Sequence, residues 1–197
     1  MSNDLSFSSH IANIVKTAFQ RSNLIFLGFS SKDPVMLTKA FVTYVRPLLE
    51  YNTVVWSPYL LGDIQKIEKV QRSFTKRLKG FRELSYKEIL RYLTLETLEL
   101  RRIRFDLIEV FKIFKGFSVL NFDDFFELKR DKRTRGHHLQ LRLRYIPKND
   151  AVRNFFANRV IEVWNSLPRT IIGSASVEVF KSSIDTDFLK PFCRYSM

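Results

Sequence analysis

The sequence predicts a mainly α-helical chain, in which a helical bundle is followed by a smaller helical appendage with a short strand or hairpin. Three observations support this fold class. Apolar residues recur three and four positions apart over several long segments, as they do along one face of a helix. Only 6 Gly and 6 Pro interrupt the 197 residues. One short segment alternates apolar and polar residues, which is the pattern of a strand.

The first helix is predicted to follow Ser8 and Ser9 and to end near Gly28. Its apolar positions are Ile11, Ile14, Val15, Ala18, Phe19, Leu24 and Ile25. A second helix is predicted to begin at Asp33 and Pro34, because aspartate is a favoured N-cap and proline is tolerated in the first turn.

Pro47 interrupts the second helix, since proline lacks the backbone N–H that the helix needs. We therefore expect a kink or a restart there. Within this kinked segment Trp56, Tyr44 and Tyr51 are expected to fill the core, and Arg46 is expected to pair with Glu50.

The third helix, about residues 61–78, has the clearest pattern. Its apolar stripe has spacings of three and four and consists of Ile64, Ile67, Val70, Phe74 and Leu78. The basic residues mainly lie off that stripe: Lys66, Lys69, Arg72, Lys76 and Lys79. One face is thus predicted to be buried and much of the other to be cationic, with Gly80 as the C-terminal cap.

Two further helices complete the predicted bundle. Ser85 with Glu88 three residues later forms a capping-box pattern at the start of a short helix. A long helix is predicted over residues 96–115, with Arg101, Arg102 and Arg104 in its first half, and Gly116 ends it. We place the boundary between the two subregions there, giving a bundle over residues 1–116 and an appendage over residues 117–197.

The appendage opens with an acidic and aromatic segment and a basic loop. Leu139, Leu141 and Leu143 alternate with polar residues, which predicts a strand over residues 138–145. Helices are predicted over residues 152–167, ended by Pro168, and over residues 176–188.

Positive charge is concentrated in two stretches of the chain. The net charge is +13. Residues 64–104 carry twelve Lys or Arg against five Glu, and residues 129–144 carry seven Lys or Arg against one Asp, so the remainder is neutral. Clustered positive charge attracts polyanions. Solvated surface on a basic protein and an anionic membrane surface are the alternatives.

Neither a catalytic nor a metal site is predicted. The glycines form no phosphate-binding loop, the three histidines lie in no nucleophile motif, and the only cysteine, Cys193, excludes an internal disulfide and a cysteine-based zinc site. Asp123 and Asp124 are expected to be acids at a helix N-terminus, since the aromatic and variable residues that precede a polymerase aspartate pair are not in place. No cofactor is expected.

The chain carries no secretory leader pattern and no apolar run near the roughly 18 residues that a membrane span needs. We therefore expect an intracellular protein that does not enter a membrane.

The segment AFVTYVRPLLEYNTVVWSPYL (residues 40–60) resembles a stretch downstream of the polymerase domain in reverse transcriptases of non-LTR (LINE, jockey-like) retrotransposons. The similarity continues through residues 63–116 and reaches FDDFFEL, TRGHHLQL and FFANRVIEVWNSLP in the same order. The resemblance implies a thumb and connection region, whose helices clamp the template–primer duplex through its backbone.

The resemblance also implies which basic residues contact nucleic acid. Those of the third helix would face the duplex: Lys66, Lys69, Arg72, Lys76 and Arg77. Those of the long helix would flank it: Arg101, Arg102 and Arg104. Those of the basic loop would contact phosphates: Arg133, Arg135 and His137. A solvated helix face or an internal ion pair, such as Glu68 with Arg72, is the alternative for each.

Fingers, palm and their metal-binding aspartates are not in the sequence, so we expect no polymerase activity from this chain alone. The missing palm and fingers are expected partners besides nucleic acid. Three alternatives remain open: a part of a full polymerase, an inert truncated retroelement remnant, or a protein-interaction module recruited by a host.

Overall fold

A computed structural model describes residues 6–129, 139–142 and 149–195. The chain is mainly helical with one small antiparallel sheet, which confirms the predicted fold class. The described residues group into two compact units. Unit 1 comprises residues 6–101 with 194–195, and unit 2 comprises the described residues between 102 and 193. Gly116 lies within unit 2, and the predicted division at that residue stays a prediction.

The helices of unit 1 are α1 (Ser8–Gly28), α2 (Pro34–Tyr44), α3 (Arg46–Glu50), α4 (Thr53–Trp56), α5 (Leu61–Lys76) and α6 (Tyr86–Tyr92). Helix α7 (Leu98–Phe114) begins in unit 1 and continues into unit 2. Asp33 caps α2 by accepting a hydrogen bond from the Met36 backbone N–H at 2.7 Å. Ser85 and Glu88 form the predicted capping box of α6.

The predicted kinked segment is three separate helices. Helix α3 restarts with Pro47 in its first turn. A second break follows at Asn52, whose φ of 55° is left-handed. Trp56 is buried and Arg46 lies 3.7 Å from Glu50, as predicted. The prediction for Tyr44 and Tyr51 is wrong: they are 57% and 81% exposed. Tyr44 is the last residue of α2, and Tyr51 lies in the break between α3 and α4.

The core of unit 1 is formed mainly by α1, α2, α3 and α5, and Trp56 of α4, Ile89 of α6 and Leu98 of α7 also belong to it. Phe41 and Phe74 stack at a centroid distance of 4.5 Å at its centre. The stripe predicted for α5 is buried throughout. The prediction of Gly80 as the cap of this helix is wrong, because α5 ends at Lys76 with Arg77 as its C-cap. Gly80 lies in the turn that follows and has a left-handed φ of 87°.

Unit 2 continues from α7 with α8 (Phe122–Phe125), β1 (Glu127–Leu128), β2 (Leu141–Arg142), α9 (Asp150–Arg153), α10 (Phe156–Ser166), α11 (Arg169–Ile172), α12 (Val177–Ser183), α13 (Thr186–Leu189) and a 3-10 turn at Lys190–Phe192. The strands pair with Glu127 opposite Arg142 and Leu128 opposite Leu141. Asp123 and Asp124 lie in the first turn of α8, as predicted. The helices predicted over residues 152–167 and 176–188 are each divided in two.

The core of unit 2 is aromatic. Phe111 and Phe180 stack at 4.1 Å, and Trp164 lies 6.3 Å from Phe180. The side chain of Asn165 extends the small sheet, because it exchanges two hydrogen bonds with the backbone of Leu141, at 2.7 and 2.8 Å.

Candidate nucleic-acid interface

Helix α5 presents Lys66, Lys69 and Arg77 on its exposed side. These three residues share one side of the helix, because at about 100° per residue Lys69 and Arg77 lie about 80° apart around the axis with Lys66 between them. Lys66 lies 2.8 Å from the buried carboxylate of Asp63, yet its side chain is 55% exposed. The Arg77 guanidinium lies over the ring of Phe26 at 4.1 Å and donates to Asn23 Oδ1 at 2.6 Å. These contacts engage the charged groups of Lys66 and Arg77, yet both residues stay exposed.

Arg72 is held between two tyrosine rings. Its guanidinium lies 4.7 Å from the ring centre of Tyr86 and 5.5 Å from that of Tyr195. It also donates to the Tyr195 hydroxyl at 2.5 Å. The predicted i, i+4 partner, Glu68, accepts hydrogen bonds from the Tyr86 hydroxyl and the Leu98 backbone N–H. In this arrangement Arg72 joins the C-terminal residues to α5 and α6 through its Nη2 hydrogen bond and its two ring contacts.

Lys76 is similarly occupied. Its ammonium donates to the backbone oxygens of Arg82 and Leu84, at 2.9 and 2.5 Å. A lysine that satisfies backbone carbonyls holds the loop after α5 in place. Its role in the structure is therefore to shape this loop, and the phosphate contact predicted for it stays a prediction.

The arginines of α7 face inward to different degrees. Arg101 makes a two-pronged ion pair with Glu50, in which its Nη2 lies 3.1 Å from Oε2, and Glu96 lies nearby at 3.8 Å. Burial alone would lower the pKa of Arg101, but Glu50 outweighs burial and raises it above the ordinary value. Arg102 is 2% exposed. Arg104 is half-buried and donates to Thr186 Oγ1 at 2.9 Å.

The structure thus distinguishes exposed from buried residues among the predicted contacts. Lys66, Lys69 and Arg77 are exposed on α5, whereas Arg102 lies in the interior, where it cannot meet a phosphate without a rearrangement. The three residues predicted in the basic loop, Arg133, Arg135 and His137, lie outside the described residues.

Three carboxylates of unit 1, those of Asp63, Glu68 and Glu99, are buried and accept hydrogen bonds from neighbouring groups. Glu99 is buried and accepts from the backbone N–H groups of Arg194 and Tyr195, at 2.8 and 2.9 Å. Asp63 is buried and accepts from Ser8 Oγ. Burial and the neighbouring Glu68 raise the pKa of Tyr86 well above its usual range, so this phenol stays neutral and remains a donor.

This arrangement leaves the exposed charge of unit 1 strongly positive. Twelve basic residues are exposed in its described part: Lys16, Arg21, Lys32, Lys39, Lys66, Lys69, Arg77, Lys79, Arg82, Lys87, Arg91 and Arg194. Three acidic residues are exposed there: Asp33, Glu83 and Glu88. Sequence reasoning named only three of the twelve as contacts. The signal for the inward acids was present, because Glu68 stands one residue from Ile67, within the apolar stripe of α5.

No helix among the described residues combines the length and the apolar character needed to cross a membrane. No group of three or more His, Cys, Asp or Glu within the same residues is placed to hold a metal ion. Comparison with known protein families, curated proteins and solved structures found no match to the chain.

Proposed function

We propose that unit 1 binds the sugar–phosphate backbone of a nucleic-acid duplex through its exposed cations, with Lys66, Lys69 and Arg77 of α5 among the contacts. The observation that carries this proposal is the excess of twelve exposed basic residues over three exposed acidic ones in the described part of unit 1. Lysine and arginine neutralise phosphates and release their counterions, which gives binding that weakens steeply with salt.

The expected mode of recognition is independent of sequence. Phosphate contacts position a protein on a duplex but carry no base information. An RNA–DNA hybrid would be held through its backbone and shape. This mode suits the resemblance in residues 40–168. From that resemblance we propose that the chain is the nucleic-acid-binding part of a retrotransposon reverse transcriptase, in which palm and fingers supply the chemistry.

The proposal is tested by reversing charge at two exposed positions of α5. We expect Lys66→Glu with Lys69→Glu to weaken binding of a blunt RNA–DNA hybrid by roughly tenfold or more at low salt. Fluorescence anisotropy of a labelled hybrid measures the affinity, and circular dichroism verifies that the helices are retained.

The matched control makes the same charge change in unit 2. Arg169→Glu with Lys181→Glu alters two exposed basic residues, and we expect a much smaller loss of affinity. Equal losses from the two double variants would overturn the proposal, because long-range charge and not a surface of unit 1 would then explain binding. Absence of hybrid binding by the unaltered chain would overturn it as well.

A further inference from the structure

Tyr92, the last residue of α6, is an exposed aromatic residue fixed against the core. It is 71% exposed. Its ring packs perpendicular to that of Phe81, with the centroids 5.1 Å apart. Phe81 is 5% exposed and belongs to the core of unit 1. A perpendicular contact uses one edge or one face of the tyrosine ring, so much of the ring is held in place and open to solvent.

The loop between α5 and α6 is held beside this ring. Lys76 donates to two of its backbone oxygens, at Arg82 and Leu84, and the capping box of Ser85 and Glu88 fixes its end. Phe81 inserts into the core from the middle of the loop. The residues on either side of Phe81 are therefore placed near Tyr92.

Three exposed residues of this region are basic. Lys79 lies two residues before Phe81, Arg82 directly follows Phe81, and Arg91 precedes Tyr92. Two exposed acids lie in the same region. Glu83 follows Arg82, and Glu88 has its carboxylate bonded to the Ser85 backbone N–H and hydroxyl. The cations outnumber the acids, and one of the two acids is engaged by the capping box.

We propose that Tyr92 is a stacking site for an unpaired nucleobase, with Lys79, Arg82 and Arg91 contacting the phosphates on either side. This inference rests on the proposed function and adds that the ligand carries a single-stranded segment beside its duplex. An exposed aromatic ring among basic residues is the arrangement by which proteins bind single strands, since every base offers a face for stacking. The site therefore accepts any base.

The experiment compares a blunt RNA–DNA hybrid with one that carries a single-stranded template extension. We expect the unaltered chain to bind the extended hybrid more tightly, and Tyr92→Ala to weaken that binding by about fivefold or more, as loss of one stacked base does. Binding of the blunt hybrid stays unchanged. Tyr92→Trp retains the preference, because indole also stacks.

The matched control is Tyr51→Ala, which removes another exposed tyrosine, one that is 81% exposed, and leaves both affinities unchanged. Thermal unfolding of each variant verifies folding. The stacking site is overturned if the chain binds both hybrids equally, or if Tyr92→Ala leaves the preference intact while blunt binding persists. If the unaltered chain did not bind the blunt RNA–DNA hybrid at all, the proposed function itself would be rejected.

Discussion

The described residues of unit 1 and unit 2 differ in the charged side chains that they bury. The described part of unit 1 buries the carboxylates of Asp63, Glu68 and Glu99. Unit 2 buries Arg102 and encloses most of Arg159, and both lie near one buried carboxylate, Asp106. The described part of unit 1 also carries sixteen basic residues against eight acidic ones, whereas that of unit 2 carries eleven against ten.

The surfaces follow from this difference. Unit 1 exposes twelve basic and three acidic residues. Among the described residues of unit 2, six exposed basic residues (Lys129, Arg142, Arg153, Arg169, Lys181 and Lys190) face seven exposed acidic ones (Asp123, Asp124, Asp150, Glu162, Glu178, Asp185 and Asp187). The comparison teaches that the charge of the whole chain does not locate a polyanion-binding surface, because most of the positive excess of the described residues belongs to unit 1. The burial of three carboxylates in unit 1 keeps that excess at its surface.

The largest expected effect concerns the buried pair of unit 2. Arg159 makes two hydrogen bonds of 2.8 Å with Asp106. We expect Asp106→Ala to lower the free energy of unfolding by about 3–5 kcal/mol, because it leaves buried guanidinium groups without their carboxylate. Chemical denaturation followed by circular dichroism measures the change.

The surface pair Asp150 and Arg153 is the control, since both side chains are more than half exposed. Asp150→Ala removes the same charge and should cost less than about 1 kcal/mol. Similar losses in the two variants would show that unit 2 does not depend on an interior ion pair.

The next effect concerns the buried carboxylate of α5. Tyr86 donates to Glu68 at 2.5 Å and accepts from Gln71 at 3.0 Å. We expect Tyr86→Phe to cost about 1–3 kcal/mol of unfolding free energy, because a buried carboxylate and a buried amide each lose a partner. Tyr44→Phe, which alters an exposed hydroxyl, should be near neutral in the same denaturation experiment. If Tyr86→Phe left the free energy of unfolding unchanged, the hydrogen bond from Tyr86 would not stabilise the buried Glu68 carboxylate, contrary to this prediction.

A smaller effect is expected at the C-terminal residues. Tyr195→Ala removes one of the two rings around Arg72 and the acceptor of its 2.5 Å hydrogen bond. We expect a loss of roughly 1 kcal/mol, as for a partly exposed cation–π contact. Differential scanning calorimetry should show a lower melting temperature, while Tyr195→Phe retains the ring and loses less. An unchanged melting temperature for Tyr195→Ala would show that these residues do not brace unit 1.

The smallest effect is pH-dependent and lies at the start of α6. Hydrogen bonds from the side chain and backbone of Ser85 lower the pKa of Glu88 below its ordinary value. A lowered carboxylate pKa stabilises the fold above the unfolded value, about 4.3, and this contribution disappears as pH falls through the folded pKa. Glu88→Gln should therefore be less stable than the unaltered chain at neutral pH, and the gap should close in acid. A gap that is constant with pH would exclude this role of Glu88.

Local patterns in the sequence predicted local structure well. The stripe of α5, the cap at Asp33 and the capping box at Ser85 each depend on neighbouring residues, and the structure confirms all three. The burial of Trp56 and the pairing of Arg46 with Glu50 were also predicted.

Contacts between residues distant in sequence could not be predicted in this way. Arg72 donates a hydrogen bond to Tyr195, which lies 123 positions away in the sequence. The spacing of apolar residues cannot predict such a contact. Tyr51 is exposed in the break before Asn52, whose left-handed φ the apolar spacing did not predict. Arg102 was expected beside the duplex, but α7 carries apolar residues on several sides, and burying them takes this arginine inside as well.

The salt dependence of hybrid binding tests the central claim most directly. Lys66→Gln with Lys69→Gln removes two of the proposed phosphate contacts without adding negative charge. We expect the slope of log affinity against log salt to become shallower by up to about 1.8, a little under one for each lost contact. The equivalent neutralisation in unit 2, Arg169→Gln with Lys181→Gln, should leave the slope unchanged. An unchanged slope for the α5 variant, or an equal change for the unit 2 variant, would contradict a binding surface on unit 1.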